Sequence, residues 1–345
     1  MIIFRANAGS HVGLGHLVRC RVLAKALQER GQRCLIVGPP LFLKQSGDES
    51  LFDDWIERPQ WHGAVEEAKF HIELAKQYNA KHIILDDYRS DFEHQLLIRN
   101  AGLRMLQQYD ASRPQKFAAQ LVINSSPYEK RDHYKTVLYS EDIQMLHGPR
   151  YAVLRDEFTR LPKQNQKLNR HRILVTFGGG DDRGAILTVL KALSTNLPRN
   201  SNMIVVAGKH NPCIPQISNW LAEKNHDEIE LLVDPDDMPS VIASCGIAIL
   251  GGGTTTFEVA YCGLPMILMP IAENQYKQGQ GWENDGAAFY LGPIKNTDSK
   301  VLIGTLTKLI NNPNLYDKMS KAARLSVDGH GTKHIIDCLL GERCE

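Results

Sequence analysis

Short apolar runs that each end in a glycine, proline or aspartate turn recur along this chain, and they constrain its fold more than any other feature. In the first half these runs are Met1–Phe4, Cys34–Gly38, His82–Leu85, Leu121–Ile123 and Thr136–Tyr139. After the first run, apolar residues recur at helical spacing from Leu17 to Leu27, and Gly31 is a stop signal. Strand and helix patterns that alternate in this way predict an α/β fold, with helices on both faces of a parallel sheet.

The same pattern restarts after a polar, lysine-rich segment at 161–172, which we interpret as a linker. The second set of predicted strands is Ile173–Phe177, Met203–Ala207, Ile229–Val233, Ile247–Leu250 and Met266–Met269. We therefore predict one Rossmann-like domain over 1–160, a second over 173–331, and a C-terminal helix over 332–345. Parallel sheets bind ligands at the carboxyl ends of their strands, so two sheets facing each other across a cleft would bind a ligand there.

The charge balance restricts the expected partners. Lys and Arg together number 40 and Asp and Glu number 39, which gives a formal net charge of +1. Nucleic acids and membrane surfaces attract proteins with a concentrated basic face, so we expect neither as a partner. The sequence leaves protein partners unknown.

Cysteine usage and the N-terminus suggest a compartment. The seven cysteines form no CxxC pair and no Cys/His ligand spacing, so we expect reduced cysteines and no bound metal. Met1–Phe4 enters a strand pattern at once, without the features of a signal peptide, and the apolar runs are far shorter than a membrane span. The expected location is the cytoplasm, without stable membrane insertion.

The turn after the first predicted strand carries the first candidate site. Its residues are Arg5, Asn7, Gly13, Gly15, His16 and Arg19. The glycines let the backbone approach a ligand closely, and the unpaired N–H groups at a helix start favour an anion. His16 would enter in the first helical turn, where its imidazole could serve as a general base. The alternative is a histidine that only bonds a loop carbonyl.

Asp86, Asp87 and Tyr88 follow the predicted strand at His82–Leu85 and would face the ligand crevice of the sheet. The two carboxylates could bind substrate or could cap the loop, and the pattern leaves both interpretations open. Metal sites of this kind usually draw ligands from more than one element, so a metal is not favoured. Tyr88 could donate a hydrogen bond to a substrate.

A glycine cluster that includes Gly178 and Gly179 follows the strand at Ile173–Phe177. It suits a turn that approaches phosphate, although a purely structural turn has the same composition. The cluster lacks the Gly-Lys-Ser/Thr of a P-loop, which argues against ATP chemistry.

The strongest pattern lies after the strand at Ile247–Leu250. Gly251–Gly253 would expose backbone N–H groups, and Thr254 and Thr255 would start a helix, which builds an anion cradle without a lysine or a metal. Glu258 lies one helical turn further on, where its carboxylate could accept two hydrogen bonds from a ribose diol. Asn274 and Gln275 follow the next strand and could bond sugar hydroxyls or an acetamido group. The structural alternative is a glycine turn with a capping glutamate.

These motifs carry a family resemblance. The stretch from Asp236-Asp237-Met238 through Gly252–Glu258, Gly263-Leu264-Pro265 and Asn274-Gln275 resembles the UDP-GlcNAc-binding half of the two-domain GT-B glycosyltransferases, which include the enzyme that forms lipid II. Four further segments resemble the UDP-2,4-diacetamido-2,4,6-trideoxy-β-L-altropyranose hydrolases of pseudaminic acid biosynthesis. They are Gly13-x-Gly15-His16-x-x-Arg19, Gly148–Phe158, Thr176–Asp181 and Asp328-Gly329-x-Gly331, of which Gly148–Phe158 is the most specific.

The resemblance implies a GT-B fold and a cytoplasmic hydrolase that releases UDP and the free sugar without a metal or another cofactor. It implies that His16 is the base and that Arg5, Asn7, Gly13, Gly15, Arg19, Asp87, Tyr88, Asn274 and Gln275 bind substrate. It places UDP on Gly178, Gly179, Met238, Gly252, Gly253, Thr254, Thr255 and Glu258. One position departs from the pattern, because the family usually has Asp where this chain has Asn7.

Three other functions share the expected fold. The main alternative is a UDP-sugar-dependent glycosyltransferase of the GT-B type. Membrane-associated transferases usually show a basic and apolar patch, and residues 41–52 mix apolar side chains with Lys44, Asp48 and Glu49 instead. A non-catalytic nucleotide-sugar-binding protein is disfavoured by His16, and a UDP-sugar 2-epimerase by the lack of its carboxylate pattern.

Overall fold

The structure is a computed structural model that describes residues 1–9, 14–109, 115–128, 137–161, 168–194, 196–224 and 227–342. The chain divides into two compact units. The first comprises Met1–Arg155 together with Gly329–Glu345, and the second comprises Asp156–Asp328. Each unit is built around its own parallel sheet.

The sheet of the first unit has seven strands in the order β3-β2-β1-β4-β5-β6-β7, all of them parallel. The strands are β1 Ile2–Ala6, β2 Cys34–Gly38, β3 Asp54–Glu57, β4 His82–Asp86, β5 Arg104–Gln108, β6 Leu121–Asn124 and β7 Gln144–His147. The strand order reverses between β1 and β4, which are hydrogen-bonded neighbours. In an open parallel sheet the crevice at such a reversal is the usual place for a ligand.

The sheet of the second unit has six parallel strands in the order β10-β9-β8-β11-β12-β13. The strands are β8 Arg172–Thr176, β9 Asn202–Ala207, β10 Ile229–Val233, β11 Ile247–Leu250, β12 Met266–Leu268 and β13 Ala288–Tyr290. Here the order reverses between β8 and β11. The two glycine-rich turns of this unit follow these same two strands, so they lie beside each other at the carboxyl edge.

Helices cover both faces of each sheet. They are α1 Gly15–Gln28, α2 Asp48–Leu51, α3 Ala64–Gln77, α4 Phe92–Asn100, α5 Asp156–Thr159, α6 Ala185–Leu193, α7 Ile214–Lys224, α8 Met238–Ala243, α9 Thr255–Cys262, α10 Tyr276–Asn284, α11 Ser299–Asn311, α12 Pro313–Ser326 and α13 Gly331–Leu340. Helix α13 belongs to the first unit, where Ile335 and Leu339 join the core formed by α1 and one face of the sheet. Arg30, just after α1, binds Asp337 of α13 at 2.7 Å.

Several strands have sequences that apolar patterning does not reveal. The expected strand at Thr136–Tyr139 is wrong over its described part, where Leu138 forms only an isolated bridge to Phe117; Thr136 lies outside the described residues. The strand next to β6, at this edge of the sheet, is β7, whose Gln144 is exposed. The polar strand β5 is also buried, and its Gln107 accepts a hydrogen bond from Gln95 at 3.3 Å.

One expectation about the cysteines is corrected as well. Cys20, Cys34, Cys213, Cys245 and Cys262 are free, as expected. Cys338 is disulfide-bonded, although the absence of a CxxC pair and of Cys/His ligand spacing predicted reduced cysteines.

Candidate active site

The first candidate centre lies at the reversal point of the first sheet. His16 is the second residue of α1, and Asp86 is the last residue of β4, in register with Ala6 of β1. The backbone of Asn7, half-buried just after β1, donates to the Asp86 carbonyl at 3.2 Å. Gly15 begins α1, while Gly13 lies outside the described residues.

His16 and Asp86 form a buried pair. The Nδ1 atom of His16 lies 2.5 Å from Oδ1 of Asp86, and His16 is 4% exposed. An ionised carboxylate can only accept a hydrogen bond, so this contact requires the proton on Nδ1. The other ring nitrogen, Nε2, then carries the lone pair that a general base needs.

Arg19 keeps Asp86 ionised. Its Nε donates to Asp86 Oδ2 at 3.0 Å and its Nη2 donates to Oδ1 at 2.8 Å. Burial alone would raise the pKa of Asp86, but the charge of Arg19 and the bonds from Arg19 and His16 outweigh burial and hold that pKa well below its usual range. Nη2 of Arg19 also lies 3.1 Å from Nδ1 of His16. His16 Nδ1 and Arg19 Nη2 both lie within hydrogen-bond distance of Asp86 Oδ1, so we assign both nitrogens as donors to Asp86.

Tyr88 packs its ring edge-on against His16, with the ring centroids 4.7 Å apart at 77°. The tyrosine is 38% exposed. Tyr88 therefore lies between His16 and the solvent, and its contact with a substrate stays a prediction.

Asp87 belongs to a different cluster on the opposite face of the sheet. Its Oδ2 accepts from Nε of Arg5 at 3.1 Å and from Nη2 of Arg89 at 2.7 Å, and its Oδ1 accepts from the Arg89 backbone N–H at 3.0 Å. Both Arg5 and Asp87 are fully buried. Both side chains therefore have charged partners within the protein, and substrate binding by either stays a prediction.

The same cluster contains a second buried carboxylate. Glu67 of α3 accepts from Nε of Arg58 at 2.9 Å, and its other oxygen lies 3.9 Å from Nη2 of Arg5. Burial lowers the pKa of Arg5, partly offset by the charges of Asp87 and Glu67. His94, also buried on this side, has its pKa lowered to about 4 by burial and by Arg5. The cluster is an internal ion-pair network.

The second candidate centre is the turn between β11 and α9. Gly251 and Gly252 are buried, Thr254 is exposed, and Thr255 begins α9. The first N–H groups of an α-helix have no intrahelical acceptor, so this start can bind an anion. Glu258 is half-buried and lies in the first turn of α9, close to these N–H groups in sequence.

Gln275 occupies part of this turn. Its Oε1 accepts from the backbone N–H of Gly252 at 3.2 Å and from that of Ile271 at 3.0 Å. The N–H of Gly252, which the sequence assigned to UDP, is thus already bonded within the protein. Asn274, beside Gln275, is exposed.

Gln278 of α10 supports the turn from its other end. Its Nε2 donates to the carbonyl of Gly253 at 3.0 Å and to Oγ1 of Thr256 at 2.9 Å. Sequence reasoning missed this residue, and its spacing of three from Gln275 is the signal that could have indicated it.

The neighbouring turn follows β8. Gly178 has a positive φ of 99°, which favours glycine. Gly179 packs against Gly208, where a Cβ would lie 2.2 Å from the Gly179 carbonyl oxygen. Met238, the first residue of α8, is 9% exposed. The structure therefore brings the predicted nucleotide residues to one sheet edge, and it shows that Gly208 must be glycine for the backbone of Gly179 to pack against it.

Sequence reasoning also missed the role of Asp86. It treated Asp86 and Asp87 as one pair, although side chains alternate between the faces of a strand. The signal was available in β1, where Phe4 and Ala6 face α1 and the intervening Arg5 faces α3 and α4. The same alternation predicts that Asp86 and Asp87 face opposite sides of the sheet.

Among the described residues, one group of potential metal ligands gathers within 4.8 Å: Asp181, Asp182 and Cys213. Both carboxylate oxygens of Asp182 accept backbone N–H groups, from Gly184 at 3.1 Å and Ile186 at 2.9 Å. Asp182 thus caps α6.

Within the described ranges, we also find that every helix is too short or too polar to cross a bilayer.

Comparison with known proteins defines the class of fold. Residues 173–336 match the family model of the glycosyltransferase family 28 C-terminal domain. The crystal structure of MurG from Acinetobacter baumannii superposes with a TM-score of 0.70 at 17% sequence identity, over 99% of each chain. With its parallel sheets of seven and six strands, this chain has the GT-B fold.

Two curated relatives extend over most of the chain. The spore coat polysaccharide biosynthesis protein SpsG of Bacillus subtilis is 24% identical over 336 residues, which is 94% of each chain. The UDP-2,4-diacetamido-2,4,6-trideoxy-β-L-altropyranose hydrolase of Campylobacter jejuni is 23% identical over 258 residues, 74% of this chain and 86% of the relative.

Proposed function

We propose that this chain is an enzyme that acts on a UDP-sugar, with a nucleotide-binding turn in the second unit and a general base in the first. The family model covers the part of the chain that contains the turn between β11 and α9. The start of α9 provides N–H groups for a diphosphate, and Glu258 provides a carboxylate for the ribose.

The specific reaction that we propose is hydrolysis of UDP-2,4-diacetamido-2,4,6-trideoxy-β-L-altropyranose at its anomeric carbon. The observation that carries this proposal is the buried pair of His16 and Asp86, 2.5 Å apart at the reversal point of the sheet. The pair resembles the histidine–carboxylate arrangement of many hydrolases, in which the carboxylate fixes the tautomer of the base. The relative in Campylobacter jejuni bears the name of this hydrolase.

The chemistry follows from the tautomer. Nε2 of His16 takes a proton from water while the water oxygen forms a bond to C1 of the sugar. The bond from C1 to the phosphate oxygen breaks, and its electron pair leaves with UDP. Water attacks the face opposite UDP, so we expect inversion at C1. Asp86 stabilises the imidazolium that forms, and Arg19 keeps Asp86 ionised for that task.

The leaving group needs charge stabilisation. In this proposal the N–H groups at the start of α9 supply it, together with the threonine hydroxyls at Thr254 and Thr255. No step of the proposed reaction requires a metal or another cofactor. In this proposal Tyr88, which is exposed beside His16, bonds the sugar.

Glu258 offers a test of the nucleotide site alone. We expect Glu258→Ala to weaken UDP binding by about 1.5–3 kcal/mol, the range for a lost hydrogen bond to a charged group. Isothermal titration calorimetry with UDP measures the change, and circular dichroism checks that the variant is folded. Unchanged UDP affinity in a folded variant would remove Glu258 from the site.

A glycosyltransferase is the second candidate, because the matching family model is a glycosyltransferase domain and MurG shares the fold. The two candidates differ in what attacks C1: water in a hydrolase, an acceptor hydroxyl in a transferase. The base at His16 could serve either nucleophile.

The test is to incubate the pure protein with UDP-2,4-diacetamido-2,4,6-trideoxy-β-L-altropyranose and no acceptor, with UDP-GlcNAc as the comparison substrate. Release of UDP and free sugar, followed by liquid chromatography, supports the hydrolase. Release that begins only when an acceptor is added would identify a transferase, and an isomerised UDP-sugar would identify an epimerase.

A further inference from the structure

A four-residue turn carries Tyr88 between the end of β4 and the start of α4. The N–H of Ser90 donates to the carbonyl of Asp87 at 3.0 Å, which closes the turn over residues 87–90. Tyr88 is the second residue of this turn, and its ring centroid lies 4.7 Å from that of His16. The two ends of the turn therefore determine where the Tyr88 ring stands beside His16.

Ser90, the last residue of the turn, is fully buried and is bonded through both its side chain and its backbone. Its Oγ lies 2.9 Å from Nδ1 of His94, which belongs to α4. Its carbonyl oxygen accepts from Nε2 of Gln95 at 3.2 Å and from Nε2 of Gln115 at 2.7 Å. Three side chains therefore fix this end of the turn, and two of them belong to α4.

His94 is itself held in place. Its Nδ1 lies at Ser90, and its Nε2 lies 3.3 Å from Nδ1 of His71 in α3. Both histidines are fully buried, and Trp61 packs against the His94 ring with the centroids 5.1 Å apart. The ring cannot rotate without losing both polar contacts, and buried polar atoms that lose their partners are costly. His94 is therefore a fixed partner for Ser90.

Gln95 ties the same end of the turn to the sheet. Its Oε1 accepts from the backbone N–H groups of Ala118 and Ala119 at 3.0 and 3.2 Å. Two backbone donors meet at this atom, so it must be the oxygen, and the orientation of the amide is fixed. Its Nε2 donates to Gln107 of β5 as well as to the Ser90 carbonyl. The turn is thereby connected to β5 and to the segment that precedes β6.

We propose that Ser90 is a positioning residue for the reaction, which together with His94 and Gln95 sets the place of Tyr88 beside His16. Its bonds to α4 lie on the face of the sheet opposite α1 and His16, so Ser90 acts through Tyr88. This inference rests on the proposed function, in which Tyr88 bonds the sugar while His16 activates water. A side chain that is already in place needs no ordering when the substrate binds, and this favours the reaction.

Ser90→Ala tests the placement without any substrate. It removes the bond to His94 and keeps the backbone bonds of the turn, so the variant should fold. In protein labelled with carbon-13 at histidine, the ring current of Tyr88 shifts the nuclear magnetic resonance signal of His16 Cε1–H, which His16→Asn identifies. We expect Ser90→Ala to move this signal toward its position in Tyr88→Ala.

Ser201→Ala is the matched control. The Oγ of Ser201 lies 3.2 Å from Nδ1 of His171, so this variant also removes a contact between a buried serine and a histidine. Ser201 directly precedes β9 and therefore lies at the amino edge of the second sheet, away from the turns that follow its strands. The His16 signal and the turnover should both stay as in the wild type.

Turnover tests whether the placement matters for the reaction. Ser90→Ala should lower kcat/KM for UDP release from UDP-2,4-diacetamido-2,4,6-trideoxy-β-L-altropyranose by roughly three- to tenfold, the effect of about one hydrogen bond. In a Tyr88→Ala background it should have no further effect, because no side chain is left to position. His94→Leu should match Ser90→Ala, whereas His94→Asn, whose amide can replace Nδ1, should stay close to the wild type. Circular dichroism gives the folded fraction by which each rate is divided.

The inference is overturned if folded Ser90→Ala leaves the His16 signal in place, or if it changes kcat/KM by the same factor with and without Tyr88. If Ser90→Ala does not fold, the contrast between His94→Leu and His94→Asn decides in the same way. A wild-type protein that releases no UDP would instead overturn the proposed function, while the His16 signal would still decide whether Ser90 places Tyr88.

Discussion

Asp86 and Asp87 are consecutive carboxylates at the end of one strand, yet they serve opposite faces of the sheet. Asp86 turns toward α1, where it meets His16 and Arg19, beside the half-exposed Tyr88. Asp87 turns toward the other face, where it joins the fully buried Arg5. In both cases arginine charge opposes burial and holds the carboxyl pKa below its usual range.

The difference lies in what each cluster leaves available. The Asp86 cluster ends in an imidazole whose Nε2 can accept a proton, and a pair of this kind can do acid–base chemistry. The Asp87 cluster ends in guanidinium groups, which remain protonated and cannot act as a base. Similar charges and similar burial therefore do not make similar sites, and the face that a side chain occupies decides its role.

The largest effect that this comparison predicts is on turnover of a His16→Asn variant. Removal of a general base commonly costs roughly 10²–10⁴-fold in rate. UDP affinity should stay nearly unchanged, because the proposed nucleotide contacts belong to the second unit. Steady-state kinetics and a UDP titration measure the two quantities separately. Near-normal turnover would move the base elsewhere, with Tyr88 the next candidate, and lost UDP affinity would make His16 a nucleotide ligand.

The matched variants Asp86→Asn and Asp87→Asn test the different roles of the two carboxylates most directly. The first should lower turnover by about 10²-fold or more, because an amide no longer enforces the tautomer of His16 or stabilises its protonated form. The second leaves Arg5 buried with a weakened partner, and breaking a buried ion pair costs about 3–5 kcal/mol of folding stability. Urea denaturation and steady-state kinetics on both variants test this.

The two effects should separate cleanly. Both variants lose an arginine ion pair and therefore stability, but turnover per folded molecule should fall only in Asp86→Asn and should stay near normal in Asp87→Asn. The account fails if the kinetic loss appears in Asp87→Asn instead.

The pH dependence of stability gives a smaller effect. The folded pKa of Asp87 is lowered, since bonds and charges from Arg89 and Arg5 outweigh burial. Its contribution is therefore present above the unfolded carboxyl pKa, about 4, and is lost as pH falls through the lower folded value. Unfolding free energies of wild type and Asp87→Asn should converge below about pH 4. A gap that stays constant down to acid unfolding would contradict the assignment.

The smallest expected effect is that of a chelator. If Asp86 and Asp87 form the two separate clusters described above, they do not hold a metal together, and turnover should survive a large excess of EDTA. Initial rates with and without EDTA check this. Loss of turnover that magnesium restores would mean that the two carboxylates share a metal.

Much of the fold followed from apolar patterning, because buried strands such as β2, β11 and β12 are continuous apolar runs that end in turns. Patterning failed where a strand lies at an edge or is stabilised by side-chain hydrogen bonds. The strand β3, with Asp54 and Glu57, is an edge case, and β5 has two glutamines.

Part of the candidate sites could also be predicted from the sequence. Turns after strands indicated His16 and the Gly251–Gly253 segment, since strand ends meet at one edge of a sheet. The partner of His16 required knowing which face each aspartate occupies. The hydrogen bonds of Gln275 required knowing where the loop after β12 returns, which no local pattern gives.

The most direct test of the central claim is hydrolysis of UDP-2,4-diacetamido-2,4,6-trideoxy-β-L-altropyranose in oxygen-18 water, with early quenching and mass spectrometry of both products. If His16 directs water to C1, oxygen-18 enters the free sugar and UDP stays unlabelled, and the rate of this reaction collapses in His16→Asn. Oxygen-18 in UDP would show attack at phosphorus, and equal rates in wild type and His16→Asn would show that His16 does not activate the water. Either result would contradict the account.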